Sequence, residues 1–257
     1  MPYYTKQQIA ELNDKLATVD RRAANLLLSF TYAPFKSEKA REYAIQGFSR
    51  RVSTVTKAIK NTFRIVPPTR AKIPSREKLY DAQINIQACV ANLYGCVDNL
   101  AWIWVYEKGL DKNIARNRVG FRKGNKEVGS SLSPELQKYL DGIEVWMDYL
   151  TDFRDALGHR IPPYIPPGGV PRRRAETYNE LMRGMNAALN RRDTAEYDRL
   201  SEEQGKLLVF QPMMTHSITE ARGAVRFHVQ MLADFATIEE LGQKLLTDLG
   251  VKSTSIF

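Results

Sequence analysis

The sequence predicts an all-α, antiparallel helical bundle, on three observations. Apolar residues recur at three- and four-residue steps over long windows, cap residues precede those windows, and almost no run alternates with the two-residue period of a strand. The chain has 257 residues, 43% hydrophobic and 26% charged, enough to bury one large core. Residues 1–257 are read as a single helical domain with three parts. These are an N-terminal helical pair at 1–75, a core at 76–165, and an arm with C-terminal helices at 166–257.

The elements follow in order. Thr5 to Phe30 opens with a Thr cap and repeats Ile9, Leu12, Leu16 and Val19 on one face. Ser37 caps a second helix to about Phe63, which "VPPTRAKIPS" breaks because proline removes donors and pushes the residue before it out of the helical region. Ser75 caps a third and most apolar helix to about Lys108, stopped by Gly109. A basic, glycine-containing loop follows, "GLDKNIARNRVGFRKGNKEVGSS". Ser133, Pro134 and Glu135 begin a fourth helix in the order cap, first-turn proline, acidic first turn. Its stripe is Leu136, Leu140, Ile143, Met147, Leu150 and Leu157. A proline arm interrupts, polar helices resume at Arg174–Arg192 and from Thr194 to about Lys206, and "LLVFQPMM" reads as a short extended piece. A last helix is expected from about Ser217 to Leu249.

Lys and Arg number 38 against 29 Asp and Glu, a net +9. Such an excess fits contact with a polyanion such as RNA, or a solubility charge spread over the surface. Cys89 and Cys96 lie seven apart on one helix face, roughly 10 Å apart along the axis, too far to pair with each other. They read as small core residues of a reducing compartment. The start "MPYYTKQQIAELNDK" lacks the pattern of a signal peptide. The most apolar stretch, "IQACVANLYGCVDNLAWIWVY", carries Gln87, Asn92, Asp98 and Asn99, so a buried central helix is expected rather than a membrane span. A cytoplasmic location follows from these readings. No His-Glu-x-x-His, phosphate-binding glycine loop or nucleophile elbow occurs, so no metal or other cofactor is expected.

The informative stretch is "FRDALGHRIPPYIPPGGVPRRR", Phe153 to Arg174. Residues five apart on a straight helix sit about 140° around its axis, so Arg154 and His159 would face different ways. Gly158 offers an exit: in a left-handed conformation it would end the helix and free His159 to swing back toward Arg154. A fixed cation beside a titratable imidazole suits phosphate chemistry.

Arg154, the polar Asp155 after it and His159 four residues beyond resemble the signature of the HEPN superfamily (higher eukaryotes and prokaryotes nucleotide-binding). The preceding "CVDNLAWIWVYEKG", with Asp98 and Asn99 near its middle, is similar to the long apolar helix of that family. The resemblance covers about residues 76–165 and implies an all-α bundle. Many members are metal-independent endoribonucleases, often toxins or defence effectors, with a composite site across a homodimer; others bind or scaffold without catalysis. It implies RNA as substrate, a second copy of the chain, and a cognate antitoxin or other protein as partner. Arg154 would stabilise the phosphorane and His159 transfer protons, with Asp155, Asp98, Asn99 and Tyr94 in support. A structural alternative stays open, in which Arg154 pairs with an acid such as Asp98 and His159 caps the helix.

The arm "IPPYIPPGGVPRRR" has two readings. As a rigid flap, its Tyr164 would stack on a base while Arg172, Arg173 and Arg174 meet phosphates or an acidic partner, and Arg160 just before it reads as phosphate-facing or as a surface residue. As a crossover it would pack stiffly on a partner or on its own bundle, with Arg172–Arg174 starting the next helix. Asn85, Asn92 and Asn99 repeat every seven residues, lining a polar groove or bonding a neighbouring helix. His216 and His228 are expected to be structural.

Overall fold

A computed structural model describes residues 3–217 and 223–251 and shows an all-α bundle. The Thr5 hydroxyl accepts from the Gln8 amide and the Gln8 side chain accepts from the Thr5 amide, a reciprocal cap that starts α1 (Lys6–Tyr32). Ser37 accepts from the Ala40 amide and starts α2 (Glu38–Glu42). The backbone stays helical through a π-helical stretch at Tyr43–Ser49 and into α3 (Arg50–Ile65). The sequence predicts one regular helix there; the π stretch is the addition, and the Ser49 hydroxyl donates to the Ala44 carbonyl within it.

Ser75 accepts from the Lys78 amide and opens α4 (Arg76–Glu107), which the left-handed Gly109, at φ 66°, helps to terminate. This helix is the axis of the molecule, with α3, the π stretch, α7 (Glu144–His159) and α10 (Phe227–Asp248) packed around it. Ile86, Leu93, Leu100, Ile103 and Trp104 are fully buried along it. Each such side chain contributes about 1.5–3 kcal/mol on leaving water. Cys89 and Cys96 are buried and unpaired, and burial pushes both thiols well above the ordinary range, so neither is a ready nucleophile. Among the described residues no helix is long and apolar enough to cross a membrane.

Two predicted helix boundaries are corrected. The fourth helix is two helices, α6 (Pro134–Gly142) and α7, separated at Ile143, just after the weak helix former Gly142. A short α5 (Lys126–Gly129) lies in the basic loop before them. The last helix, expected from about Ser217, begins at Phe227, because β1 (Met213–Met214) pairs antiparallel with β2 (Val225–Arg226). Residues 218–222 of the expected helix lie outside the described residues. Between these elements α8 (Ala175–Asn190) and α9 (Thr194–Leu207) form a hairpin packed mainly on itself, with Asp193 capping α9 through the Glu196 amide.

Candidate functional site

The open side of α4 is built around two glycines that admit large neighbours. A Cβ at Gly95 would collide with the Arg51 guanidinium, so glycine lets that side chain of α3 lie flat on the α4 backbone. There Arg51 Nε donates to Asn99 Oδ1 at 3.0 Å and Nη1 to Asn92 Oδ1 at 3.3 Å. Gly47, in the π stretch, faces the Asn99 amide, where a Cβ would lie 3.0 Å away. Asn85, one repeat earlier, accepts from Asn61 Nδ2 at 3.0 Å. The asparagine repeat thus bonds α3, and its last two members hold a cation in place.

Asp98 and Tyr94 sit beside that cation. Asp98 is solvent-accessible, yet the protein packed around it raises its carboxyl pKa while Arg154, Arg51 and Arg122 pull it downward. The three arginines come from α7, α3 and the basic loop respectively. Tyr94 carries two of them: the Arg154 guanidinium lies 4.9 Å from its ring centroid and that of Arg122 5.8 Å. Arg122 also donates to the Thr151 hydroxyl. Arg154 Nη1 donates to Asp155 Oδ1 at 2.8 Å, and that bond raises its already high pKa. Asp155 therefore orients Arg154. Around Asp98 stand three full positive charges, one of them paired with Asp155, so the face carries a cationic surplus.

The far end of α7 differs from expectation. Gly158 is helical rather than left-handed, and α7 continues through His159. Helix geometry therefore keeps Arg154 and His159 about 140° apart around the axis, and within one chain they do not share a site. His159 is exposed at the last turn. Arg160, expected to meet phosphate, folds back instead: its Nη2 donates to Asp152 Oδ1 at 2.6 Å and to the Asp152 carbonyl at 2.9 Å. The buried His216 Nε2 shares a 2.7 Å hydrogen bond with Asp152 Oδ2. Burial works upward on the Asp152 carboxyl, but the bonds from Arg160 and His216 outweigh it and hold the pKa low. His228 is structural too, with Nε2 on the Val66 carbonyl at 2.6 Å.

The proline arm is a crossover rather than a flap. Tyr164 and Thr215 exchange backbone bonds at 2.8 and 3.1 Å, and Gly169 pairs with Val209 in the same way. Gln87 of α4 donates to the Pro163 carbonyl at 2.8 Å, and Ile165 is buried. Tyr164 is half-buried, with its backbone tied to Thr215. Arg172–Arg174 form a single 3-10 turn before α8, with Arg174 Nη1 donating to the Leu207 carbonyl at 3.3 Å and Arg172 and Arg173 exposed.

The structure thus brings Arg154, Asp155, Tyr94, Asp98 and Asn99 together and leaves His159, Arg160, Tyr164 and Arg172–Arg174 elsewhere. Sequence reading missed Arg51 and Arg122. The signal for Arg51 was Gly95, a lone glycine inside an otherwise unbroken helix, which marks a close approach. Among the described residues no group of three or more His, Cys, Asp or Glu is placed to hold a metal ion. Comparison of the chain with protein-family models, curated proteins and solved structures returned no match.

Proposed function

We propose that this chain binds RNA on the arginine face of α4 and, as a HEPN-like homodimer, cleaves it without metal. The observation that carries the reading is the convergence of Arg51, Arg122 and Arg154 from three separate elements on Tyr94 and Asp98. Guanidinium groups held by neighbours are pre-organised for phosphate oxygens, and the cost of ordering them is met by the fold itself.

Cleavage through the 2′-hydroxyl needs a base, an acid and charge at the phosphate. One chain offers the charge, and on another side of α7 it offers one exposed imidazole, His159. A second copy is what would deliver an imidazole to the phosphate held by Arg154. Ile161, 52% exposed and two residues after His159, is an exposed apolar side chain next to that imidazole. Such a dimer is also the surface a cognate antitoxin would cover.

A second reading, RNA binding without cleavage, is favoured by the helical Gly158, which keeps Arg154 and His159 apart in the single chain. One experiment separates the two. Labelled RNA in EDTA is incubated with wild type, Arg154→Ala and His159→Ala at matched folded content. The nuclease reading expects cyclic-phosphate ends from wild type and a loss of roughly 100-fold or more in both variants. Binding without cleavage by wild type, lost in Arg154→Ala and kept in His159→Ala, establishes the binding module. Cleavage equal in all three proteins, or no binding at all, removes both.

A further inference from the structure

Beside the arginine face lies a cavity of about 210 Å³, closed on one side by the basic loop and on the other by α4 and α7. Its lining is mixed, with an apolar part from Val97, Val119, Phe121, Met147 and Leu150. The polar part comes from Asp98, Asn117, Arg122, Asn125 and Thr151, with Arg122 donating to the Thr151 hydroxyl. An apolar part that covers a ring face, beside polar groups that fix its edge, suits a small planar polar ligand. Gly120 keeps the pocket in shape, because a Cβ there would strike the Asn125 amide that lies over it.

We propose that this cavity is a base pocket that selects an unpaired guanine of the RNA held by the neighbouring arginines. The proposal rests on the phosphate-binding reading above and adds the substrate class to it. The geometry supplies both halves of a nucleotide site, since Tyr94, Asp98 and Arg122 border the cavity while Arg122 and Arg154 both lie over the Tyr94 ring. A backbone phosphate on those arginines would therefore place its own base at the mouth.

Asp98 decides which base. An ionised carboxylate only accepts hydrogen bonds, and it offers two oxygens side by side. Guanine alone among the four RNA bases presents two adjacent donors on its Watson–Crick edge, the ring N1–H and the exocyclic amino group. Adenine and cytosine set one amino group beside a ring acceptor, and uracil sets its one N–H between two carbonyls, so each would put an acceptor against the carboxylate. The amides of Asn117 and Asn125 are donors that can meet the guanine carbonyl oxygen. Recognition on this edge requires a base out of its pair, so the substrate is single-stranded or looped RNA.

The test uses the full chain and fluorescent oligouridylates carrying one guanosine, inosine or adenosine at the centre, titrated at low salt. Inosine keeps N1–H and lacks only the amino group. Wild type is expected to bind the guanosine oligomer roughly tenfold or more tighter than the other two, the range of one charged bidentate contact. Asp98→Asn, isosteric and at an accessible position, is expected to bring the three oligomers to one affinity. Arg154→Ala is expected to weaken all three alike. Equal affinities in wild type, still lowered together by Arg154→Ala, would overturn the base pocket and leave the phosphate reading standing. No binding of any oligomer would overturn both. A guanosine preference that survives Asp98→Asn would also reject the pocket as assigned.

Discussion

Asp98 and Asp234 are both carboxylates that burial pushes upward, and their surroundings set them to opposite uses. Asp234, on α10, is fully buried and accepts from Trp146 Nε1 at 2.9 Å and from Gln230 Nε2 at 2.7 Å, two neutral donors. Burial raises its pKa to about 7, and the two hydrogen bonds offset that only in part. Asp98 is accessible and stands among three arginines that a single carboxylate does not neutralise. In the core, the Asp234 carboxyl is met by two neutral donors and serves packing. On the α4 face the positive charge is in excess, and excess charge held by the fold is what an anionic ligand can use.

The largest test of that contrast is the pH dependence of stability. The folded chain holds the Asp234 proton more tightly than the unfolded chain, so this group's stabilisation is full below about pH 4 and is lost as pH rises through about 7. The loss is at most about 4 kcal/mol. Asp234→Asn keeps the acceptor oxygen for Trp146 and Gln230 and cannot ionise. Urea unfolding across this range is expected to show Asp234→Asn more stable than wild type at pH 8 and similar to it at pH 4. A wild-type advantage at pH 8 would mean that the buried site holds its charge comfortably, and the contrast with Asp98 would break.

His228 gives the next effect, with the opposite sign. Burial lowers its pKa to about 4, only partly countered by its bond to the Val66 carbonyl, so its contribution is present above about pH 6.5 and is lost as pH falls through about 4. Because the Asp234 and His228 windows overlap, the two slopes partly cancel in wild type. In an Asp234→Asn background, stability is expected to fall by up to about 3 kcal/mol between pH 7 and pH 4. His228→Gln should remove that fall, as read by the same unfolding titration.

Local chemistry made most of the bundle legible, and the arginine face mostly not. Thr5, Ser37, Ser75 and Ser133 cap helices where the sequence places caps, because a cap is a contact between residues three apart. Burial almost all round α4 follows from its apolar run in the same local way. The break at Ile143 was hidden because the apolar stripe runs on across it, and Val225 was read as helix because its strand partner Met214 lies outside any local window. The candidate site is non-local throughout. Arg154 was visible from a motif, but Arg51 is joined to Asn99 across 48 positions and Arg122 to Thr151 across 29. The swing of His159 failed as an expectation because a glycine permits a left-handed turn without requiring one.

On the open face the expected effects are smaller and concern the ligand. Arg154→Ala is expected to weaken RNA binding about tenfold and to lower the slope of log affinity against log salt by about 1, the signature of one lost phosphate contact. Its unfolding free energy should stay within about 0.5 kcal/mol of wild type, since an exposed cation paired with an adjacent aspartate contributes little to folding. An unchanged salt slope would show that the cationic surplus serves only solubility.

The finest discrimination comes from Gly95→Ala, where no charge changes at all. Alanine adds about 1 kcal/mol of helix propensity to α4, while its Cβ enters the space that the Arg51 guanidinium occupies. The obstacle is the end of a flexible side chain, so Arg51 can move away at the loss of its hydrogen bonds to Asn92 and Asn99. The two terms are similar in size, and the unfolding free energy is expected to change by less than about 1 kcal/mol. RNA affinity is expected to drop as far as in Arg51→Ala, because in both variants the third guanidinium is no longer held by Asn92 and Asn99 near Asp98. If Gly95→Ala instead binds like wild type while Arg51→Ala does not, Arg51 acts as a free surface cation. The glycine would then be an accident of packing rather than the reason the arginine is aimed.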